Sequence, residues 1–450
     1  MNFRDLVMGI DSKVQLLDGR ETCVVNFDNA ATTPPLKIVV NNIIKYSEYY
    51  ASIGRGAGHK AEITTRLYNE SRNFFLDFFN IKDKDKYTVV YVNNTTDGIN
   101  KLARILTKDK EDIILSTRME HHSNDLPWRR YAKVDYVEVD YMGRLDLKDL
   151  ESKLKKYSGR VKHVTVTGAS NVTGYINDIH SISKIVHRFN AKIIVDGAQL
   201  VPHSKINMSG ESEDDKIDFL VFSAHKLYAP FGAGAIVGPK ESFDNNIPCC
   251  EGGGTVSFVM DKDVEYLLAP EKDEAGTPNF FGVLSMVNAL EVLDKIGFDN
   301  IQKREIELKK RLINGLNSID GVVIYGDNKK IDDSLGIVVF NIGTMYNQTV
   351  AEILSKEYGI SVRQGWFCAH PYCRRLMHLS EKVASEFIKD KSKKMPGMIR
   401  VSLGMYNDER EVDYFLKATR EISKRNKWEC KKIVFAFSSN IDVILWKFYI

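Results

Sequence analysis

The sequence predicts an α/β fold, with a doubly wound, mostly parallel sheet in a large domain and a smaller α+β domain after it. Short β-rich runs alternate with segments of helical periodicity, one predicted helix is apolar along a single face, and the pattern changes after about Pro278. The runs expected to form strands are Tyr87 to Val92, Asp112 to Ser116, Val134 to Val139, Val161 to Thr167, Lys192 to Val195 and Asp218 to Phe222.

The helix expected between the fourth and fifth runs carries its apolar residues at helical spacing. These residues are Ile179, Ile182, Ile185, Val186 and Phe189. An apolar stripe of this kind is typical of a crossover helix that covers one face of a parallel sheet.

After about Pro278 the pattern predicts a long helix (Phe281 to Ile296), a charged helix (Asn300 to Ile319) and new strands near Gly336 to Asn341. We therefore place a second, smaller domain there. The expected divisions are an N-terminal segment joining the small domain (1–25), a large domain (26–280), a small C-terminal domain (281–424) and a hydrophobic tail (425–450).

Length and charge favour a globular protein that acts on a small molecule. With 450 residues, 43% of them hydrophobic, the chain can bury one large core or two ordinary ones. The net charge of +3 is small against 63 basic and 60 acidic side chains. This balance gives no electrostatic reason to expect nucleic acid or an acidic membrane as a partner.

The six cysteines are too few and too scattered for a disulfide framework, and no basic-then-apolar leader precedes Asp11. We therefore expect a cytoplasmic protein with free thiols. The hydrophobic stretch from Ile433 to Ile450 is interrupted by Asp442 and Lys447, whereas a membrane span needs roughly 20 mostly apolar residues. It is expected to pack against the body of the protein or a partner subunit.

Two strand ends carry opposite charges that together suggest a cofactor. The segment AKIIVDGAQ ends a buried strand at Asp196, and IDFLVFSAHK ends another at Ser223 to Lys226. Strand-end charges of this kind also form simple salt bridges. The pair nevertheless suits pyridoxal phosphate (PLP), because a lysine forms the imine and an aspartate keeps the pyridine nitrogen protonated.

The segment NNTTDGIN follows a strand and opens a helix, with Thr95 and Thr96 at its start. Helix N-termini bind phosphate, although Asn and Thr are also ordinary capping residues. In MEHHSN, a histidine after another strand end could stack on a cofactor ring. Two adjacent histidines could instead bind metal, but no spaced cysteine or carboxylate ligands accompany them, so no metal is expected.

The motifs occur in the order of a known family. The chain resembles the class V, fold-type I PLP enzymes, and most closely the SufS-like (group II) cysteine desulfurases. The resemblance runs from about Asn26 to Asn407 and rests on an ordered series. The motifs are NFDNAATTP, GRG (Gly54 to Gly56), TTDGIN, MEHHSN, GASNVTGYIN, VDGAQLVPH, FSAHKLYAPFGAG, EAGTPN, VRQGWFCAHP and RVSLGMYN.

The resemblance implies a role for each matching residue. Lys226 would be the Schiff-base lysine, Asp196 the partner of the pyridine nitrogen, and His121 the stacking residue. Gln199 and Asn171 would contact the ring O3′. The phosphate would be held by Thr95, Thr96, Ser223 and His225, and by Thr277 from the other subunit of a homodimer. The substrate would be bound by Arg400, which suits a carboxylate, and by Ala30 and Arg363.

The sulfur-accepting cysteine of the family falls on Cys368; without the family, it would more often be a buried apolar residue. Trp366 and Phe367 stand where SufS-like enzymes usually have two histidines. The arrangement GxFC also resembles the desulfurase-like domain of molybdenum-cofactor sulfurases. An apparent insertion at 370–396, which contains Cys373, is interpreted as a lid, a docking loop for a sulfur acceptor or a tolerated insertion.

The resemblance implies a PLP-dependent cysteine desulfurase that converts L-cysteine into L-alanine and leaves a persulfide on Cys368. The sulfur would pass to a protein acceptor, as in iron–sulfur cluster assembly. Another class V chemistry stays open, namely an aminotransferase, an epimerase, or a C–S or C–Se lyase such as selenocysteine lyase. A non-catalytic scaffold is disfavoured, because it would not need a complete cofactor site.

Overall fold

A computed structural model describes residues 3–54, 56–390 and 394–434, with side chains to residue 425 apart from residue 388. Residues 391–393 of the predicted insertion and residues 435–450 of the predicted tail lie outside the described residues. Within the described part, none of the helices is long and apolar enough to cross a membrane.

Seven strands form the main sheet in the described part of the chain. Neighbouring strands are parallel except at Gly234–Pro239, which runs antiparallel to both of its neighbours. The predicted mostly parallel α/β sheet is therefore confirmed. Its strands, in order across the sheet, are Tyr87–Val92, Gly234–Pro239, Phe219–Ser223, Lys192–Asp196, Val161–Thr167, Ile113–Thr117 and Lys133–Val137.

The strands predicted from sequence are all present, and their ends differ from the predicted ends by no more than two residues. They could be predicted because a strand that is buried on both faces has a continuous run of apolar residues in its sequence. Strand Gly234–Pro239 was missed, since glycine and proline at its ends resemble turn signals.

The predicted crossover helix is Ile179–His187, which buries Ile179, Ile182 and Val186 against the sheet. Other helices cover the two faces and surround the sheet. They are Lys37–Ser47, His59–Phe78, Thr95–Leu106, Leu126–Tyr131, Leu147–Tyr157, Lys240–Asp244 and Phe280–Ile296, with short 3-10 helices at Phe3–Leu6, His122–Asn124, Ala224–Lys226 and Glu271–Asp273.

A second sheet follows later in the chain, where the sequence predicted new strands, and the structure shows that it is antiparallel. Its strands, in spatial order, are Val322–Tyr325, Ile337–Ile342, Met398–Ser402 and Arg363–Gly365. The helices of this region are Phe298–Asn317, Asn347–Tyr358 and Glu409–Val434, and the predicted insertion forms helices His370–Leu376 and Glu381–Lys389.

Short strand pairs complete the fold, and one of them joins the N-terminal segment to the second sheet region. Val25–Asn26 pairs with Ile360–Ser361, and Asp28 then forms a bridge with Ser402. The segment after Asn26 therefore lies beside strand Met398–Ser402. The other pairs are Lys13–Gln15 with Glu21–Cys23, and Val256–Val259 with Val264–Tyr266.

Candidate active site

A cavity of about 990 Å³ lies at the carboxyl ends of the parallel strands. Strand Lys192–Asp196 ends at Asp196, and strand Phe219–Ser223 leads into the 3-10 helix that ends at Lys226. Ligands of α/β sheets bind at this edge. Among the residues predicted from sequence, those that line the cavity are Ala30, Thr95, Thr96, His121, Asn171, Asp196, Gln199, Ser223, His225, Lys226, Arg363, Cys368 and Arg400.

Lys226 and Asp196 influence each other within this cavity. Burial lowers the pKa of Lys226 to about 8, although the Asp196 carboxylate opposes the shift. Burial also raises the pKa of the Asp196 carboxyl, while the Ala198 N–H donates to its Oδ1 at 2.9 Å and opposes that rise. A lysine whose pKa is close to neutral pH is a usable nucleophile and base.

The start of helix Thr95–Leu106 provides a polar cradle at one end of the cavity. Asn94 caps this helix by accepting from the Asp97 N–H, and the Thr95 N–H donates to Ser223 Oγ at 2.7 Å. Gly98 lets the helix lie close to the sheet, because a Cβ there would be 2.6 Å from a methyl of Val221. Free N–H groups and hydroxyls at a helix N-terminus suit a phosphate.

His121 lines the cavity with a neutral imidazole. Burial is the main cause that lowers its pKa to about 3, and the Lys226 charge adds to the effect. The Ser123 N–H donates to His121 Nδ1 at 3.1 Å, so the ring proton of the neutral form lies on Nε2. A flat, uncharged ring can stack on an aromatic cofactor.

Asn171 and Gln199 already make hydrogen bonds within the protein. Asn171 Nδ2 donates to the Phe367 carbonyl at 2.8 Å, and Gln199 Nε2 donates to the Ala30 carbonyl at 2.7 Å. Both side chains lie at the cavity, and their contacts tie the cavity wall to the loop before Cys368 and to the N-terminal segment. The sequence could not indicate these partners, which lie more than 160 positions away.

Two arginines provide a positive region in the cavity. Arg400 is buried, and its NH1 donates to the Asn171 carbonyl at 2.8 Å. Its NH2 lies 2.9 Å from Asp28 Oδ1, and Arg363 NH1 lies 3.5 Å from Asp28 Oδ2. Asp28 was missed by the sequence analysis, although it stands within the quoted motif NFDNAATTP.

Cys368 is an exposed thiol in a strained loop at the cavity wall. Phe367 and Cys368 have φ values of 49° and 54°, in a region that residues with side chains seldom adopt. The backbone is held there because the His122 N–H donates to the Cys368 carbonyl at 2.7 Å. Cys368 and Lys226 line the same cavity, and a Cys368 thiolate would raise the pKa of Lys226.

Trp366 and Phe367, the two residues before Cys368, have side chains that do not titrate and that pack against neighbouring side chains. The Arg400 guanidinium lies 5.2 Å from the centre of the Phe367 ring, and the Trp366 ring contacts the His370 ring at 5.3 Å. His370, which the sequence analysis did not select, also lines the cavity and packs edge-on against His122. His122 and His370 therefore bring imidazoles near Cys368, although positions 366 and 367 hold no histidine.

Thr277 is the predicted cofactor residue that the structure does not place in the cavity. It is exposed, and it lines a separate pocket of about 210 Å³ with Tyr91, Lys101 and Asp273. Cys373, in contrast, is buried, and burial raises the pKa of its thiol. Its Sγ donates to the Trp366 carbonyl, so this cysteine supports the loop from behind.

The fold and the cavity define a fold-type I enzyme that uses pyridoxal phosphate. The donor set fits this cofactor: a lysine with a lowered pKa, a buried carboxylate at a neighbouring strand end, a neutral imidazole and a hydroxyl-rich helix N-terminus. The family model "Aminotransferase class-V" matches residues 25–415. The chain belongs to this family.

Individual relatives are similar over most of their length. A probable cysteine desulfurase of Pyrococcus abyssi is 34% identical over 410 residues, which cover 89% of this chain and 94% of the relative. The apo structure of a cysteine desulfurase from Thermococcus onnurineus NA1 is 32% identical, with a TM-score of 0.77 and coverage of 89% and 95%. A cysteine desulfurase structure from Escherichia coli is 25% identical, with a TM-score of 0.77 and coverage of 94% and 98%.

Proposed function

We propose that this protein is a cysteine desulfurase of the SufS-like group, which converts L-cysteine into L-alanine and takes the sulfur onto Cys368. The observation that carries the proposal is that Lys226, Arg400 and Cys368 all line one cavity. These residues supply a base, a carboxylate-binding group and a sulfur nucleophile. The names of the relatives support the same activity.

The cavity can hold the cofactor and orient the amino acid. Lys226 would hold the cofactor covalently, Asp196 would face its ring nitrogen, and Thr95, Thr96, Ser223 and His225 would surround its phosphate. When bound, PLP supplies an electron sink for charge that develops at the substrate Cα. The buried guanidinium of Arg400 would bind the substrate carboxylate, which its planar fork of N–H donors matches.

Lys226 and Cys368 would then carry the chemical steps. The amine of Lys226, with a pKa of about 8, accepts the Cα proton when it is neutral. The Cys368 thiolate attacks the sulfur of the substrate, so that an S–S bond forms and the Cβ–S bond breaks. The electron pair of the broken bond stays with the carbon skeleton, which is protonated and leaves as L-alanine. The outer sulfur of the persulfide then passes to an acceptor thiol, as a new S–S bond forms and the Cys368 thiolate is released.

The reaction can be tested with the purified protein loaded with PLP. With L-cysteine and a reductant, we expect sulfide and L-alanine to form in equal amounts, because the reductant releases the sulfur of the persulfide. Both products are measured in the same sample over time. Pyruvate or glutamate in place of alanine would contradict the proposal and indicate another chemistry of the family.

We also propose that the protein acts as a homodimer. Thr277 is exposed outside the main cavity, where it is available to complete the phosphate cradle of a second copy. On this basis each active site would contain residues from both subunits.

Mixed subunits provide the test of this arrangement. We expect a dimer in sedimentation, and Thr277→Ala should weaken PLP binding severalfold because one phosphate donor is lost. At a PLP concentration low enough to leave most Thr277→Ala sites without cofactor, Lys226→Ala and Thr277→Ala subunits, mixed after dissociation, should recover activity, since one of the two hybrid sites has both Lys226 and the neighbour's Thr277. A fully active monomer, or hybrids no better than their parents, would overturn the proposal.

A further inference from the structure

Asp28 lies between the two arginines of the cavity. Its Oδ1 is 2.9 Å from Arg400 NH2, and its Oδ2 is 3.5 Å from Arg363 NH1. The backbone of Asp28 is held in place, because it forms a β-bridge with Ser402 and its N–H donates to Asn26 Oδ1. The carboxylate therefore faces Arg400 from a fixed position.

Arg400 needs a counter-ion when no substrate is bound. Its side chain is only 3% exposed, and an unpaired charge at such a depth is costly. Burial lowers the pKa of Arg400, and the Asp28 carboxylate opposes the shift. The Arg363 charge also lowers the pKa of Arg400, and the Arg363 side chain itself is about half exposed.

The hydrogen bonds of Arg400 leave part of its guanidinium free. NH1 donates to the Asn171 carbonyl and NH2 to Asp28, while the buried Nε has no partner among the described residues. Arg400 thus has a counter-ion on one side and an unused buried donor on the other. The unused donor indicates an acceptor that the protein itself does not provide.

We propose that Asp28 is the resident counter-ion of Arg400 and that it limits the affinity of the cavity for the carboxylate of an amino acid. This inference rests on the proposed carboxylate-binding role of Arg400. Asp28 stabilises the free site, and its negative charge repels the carboxylate that binds to the same guanidinium. Asp28 is a residue that sets affinity and does not take part in the chemical steps.

The isosteric variant Asp28→Asn separates charge from shape. The side-chain oxygen of asparagine can still accept from Arg400 NH2, but the negative charge is gone. Because two carboxylates no longer share one guanidinium, L-alanine should bind about tenfold more tightly, a factor well within the range of a screened interaction between two like charges. Binding of ethylamine, which is L-alanine without its carboxylate, should change less than about twofold.

The binding constants are measured by titrating the PLP-loaded protein and following its visible absorption. The melting temperature gives a second readout: without ligand, Asp28→Asn should melt below wild type, and saturating L-alanine should raise its melting temperature more than that of wild type. The KM for L-cysteine should fall more than kcat changes. Asp413→Asn, which removes a charge paired with exposed Arg311, is the matched control and should shift none of these values.

Equal or weaker binding of L-alanine by Asp28→Asn would overturn the inference, as would an equal gain for ethylamine. If Asp28→Asn does not fold, Asp28→Ser, which is smaller and also uncharged, should show the same selective gain for L-alanine. The proposed function would fail on a different result, namely that wild type forms no sulfide and no alanine from L-cysteine. L-alanine binding by wild type and variant is scored independently of turnover.

Discussion

Replacing Lys226 with alanine is expected to abolish the covalent attachment of PLP and to lower turnover by at least about 1,000-fold, within the range for loss of a positioned acid–base group. Wild-type protein should be yellow. Borohydride should fix the cofactor on the peptide that contains Lys226, and this label should be absent from the variant. Visible absorption and mass spectrometry of the reduced peptides measure both effects.

Lys309 makes this test discriminating, because it is a second buried lysine. Burial lowers its pKa to about 7, yet its ammonium donates to Ser334 Oγ at 2.7 Å and to the Leu335 carbonyl at 2.9 Å. A lowered pKa alone therefore does not distinguish the two lysines, and the proposed assignment rests on the position of Lys226 in the cavity at the strand ends. Label on Lys309, or a wild-type protein that stays colourless after PLP is added, would contradict the assignment. Lys205→Ala, at an exposed surface lysine, is the control and should keep both colour and activity.

Much of the main sheet could be predicted because its signals are local. Strand Lys192–Asp196 is an unbroken apolar run ending in a charge, and the crossover helix repeats its apolar residues every three or four positions. The hairpin Val256–Tyr266 was not predicted. Phe258 and Val259 are exposed there, so the usual alternation of buried and exposed residues is absent.

The contacts that shape the site could not be predicted, because they join distant parts of the chain. The Asp28–Arg400 pair spans 372 positions, and the bond from Asn171 to the Phe367 carbonyl spans 196. No periodicity or spacing rule relates residues so far apart. Nor could the sequence show that the Arg400 guanidinium packs against the Phe367 ring, which gives this apolar residue a structural role.

Replacing Cys368 with alanine should leave PLP bound and L-cysteine able to enter the site, but sulfide release should fall by at least about 100-fold, as expected when a positioned nucleophile is lost. The block should come after substrate binding, because Lys226, Asp196 and Arg400 stay in place. Visible absorption reports PLP binding and the binding of L-cysteine, and sulfide and alanine assays report the release of products.

The location of the sulfur provides the sharper measurement. After one turnover without reductant, mass spectrometry should find one extra sulfur atom on the wild-type peptide that contains Cys368. Cys373 lies on the same stretch of chain but is buried, so persulfide there would require the loop to open. Cys23→Ala is the matched control and should retain full activity, because Cys23 is an exposed cysteine of the short N-terminal strand pair that does not line the cavity.

Full activity of Cys368→Ala would exclude this thiol as the sulfur acceptor, and Cys373→Ala would then be the next variant to measure. A wild type that makes alanine but carries no persulfide would mean that the sulfur leaves directly as sulfide. The strained backbone at Phe367 and Cys368 favours Cys368 as the sulfur acceptor. Hydrogen bonds from Asn171 and His122 to the carbonyls of these two residues hold them at positive φ and fix the thiol at the cavity wall.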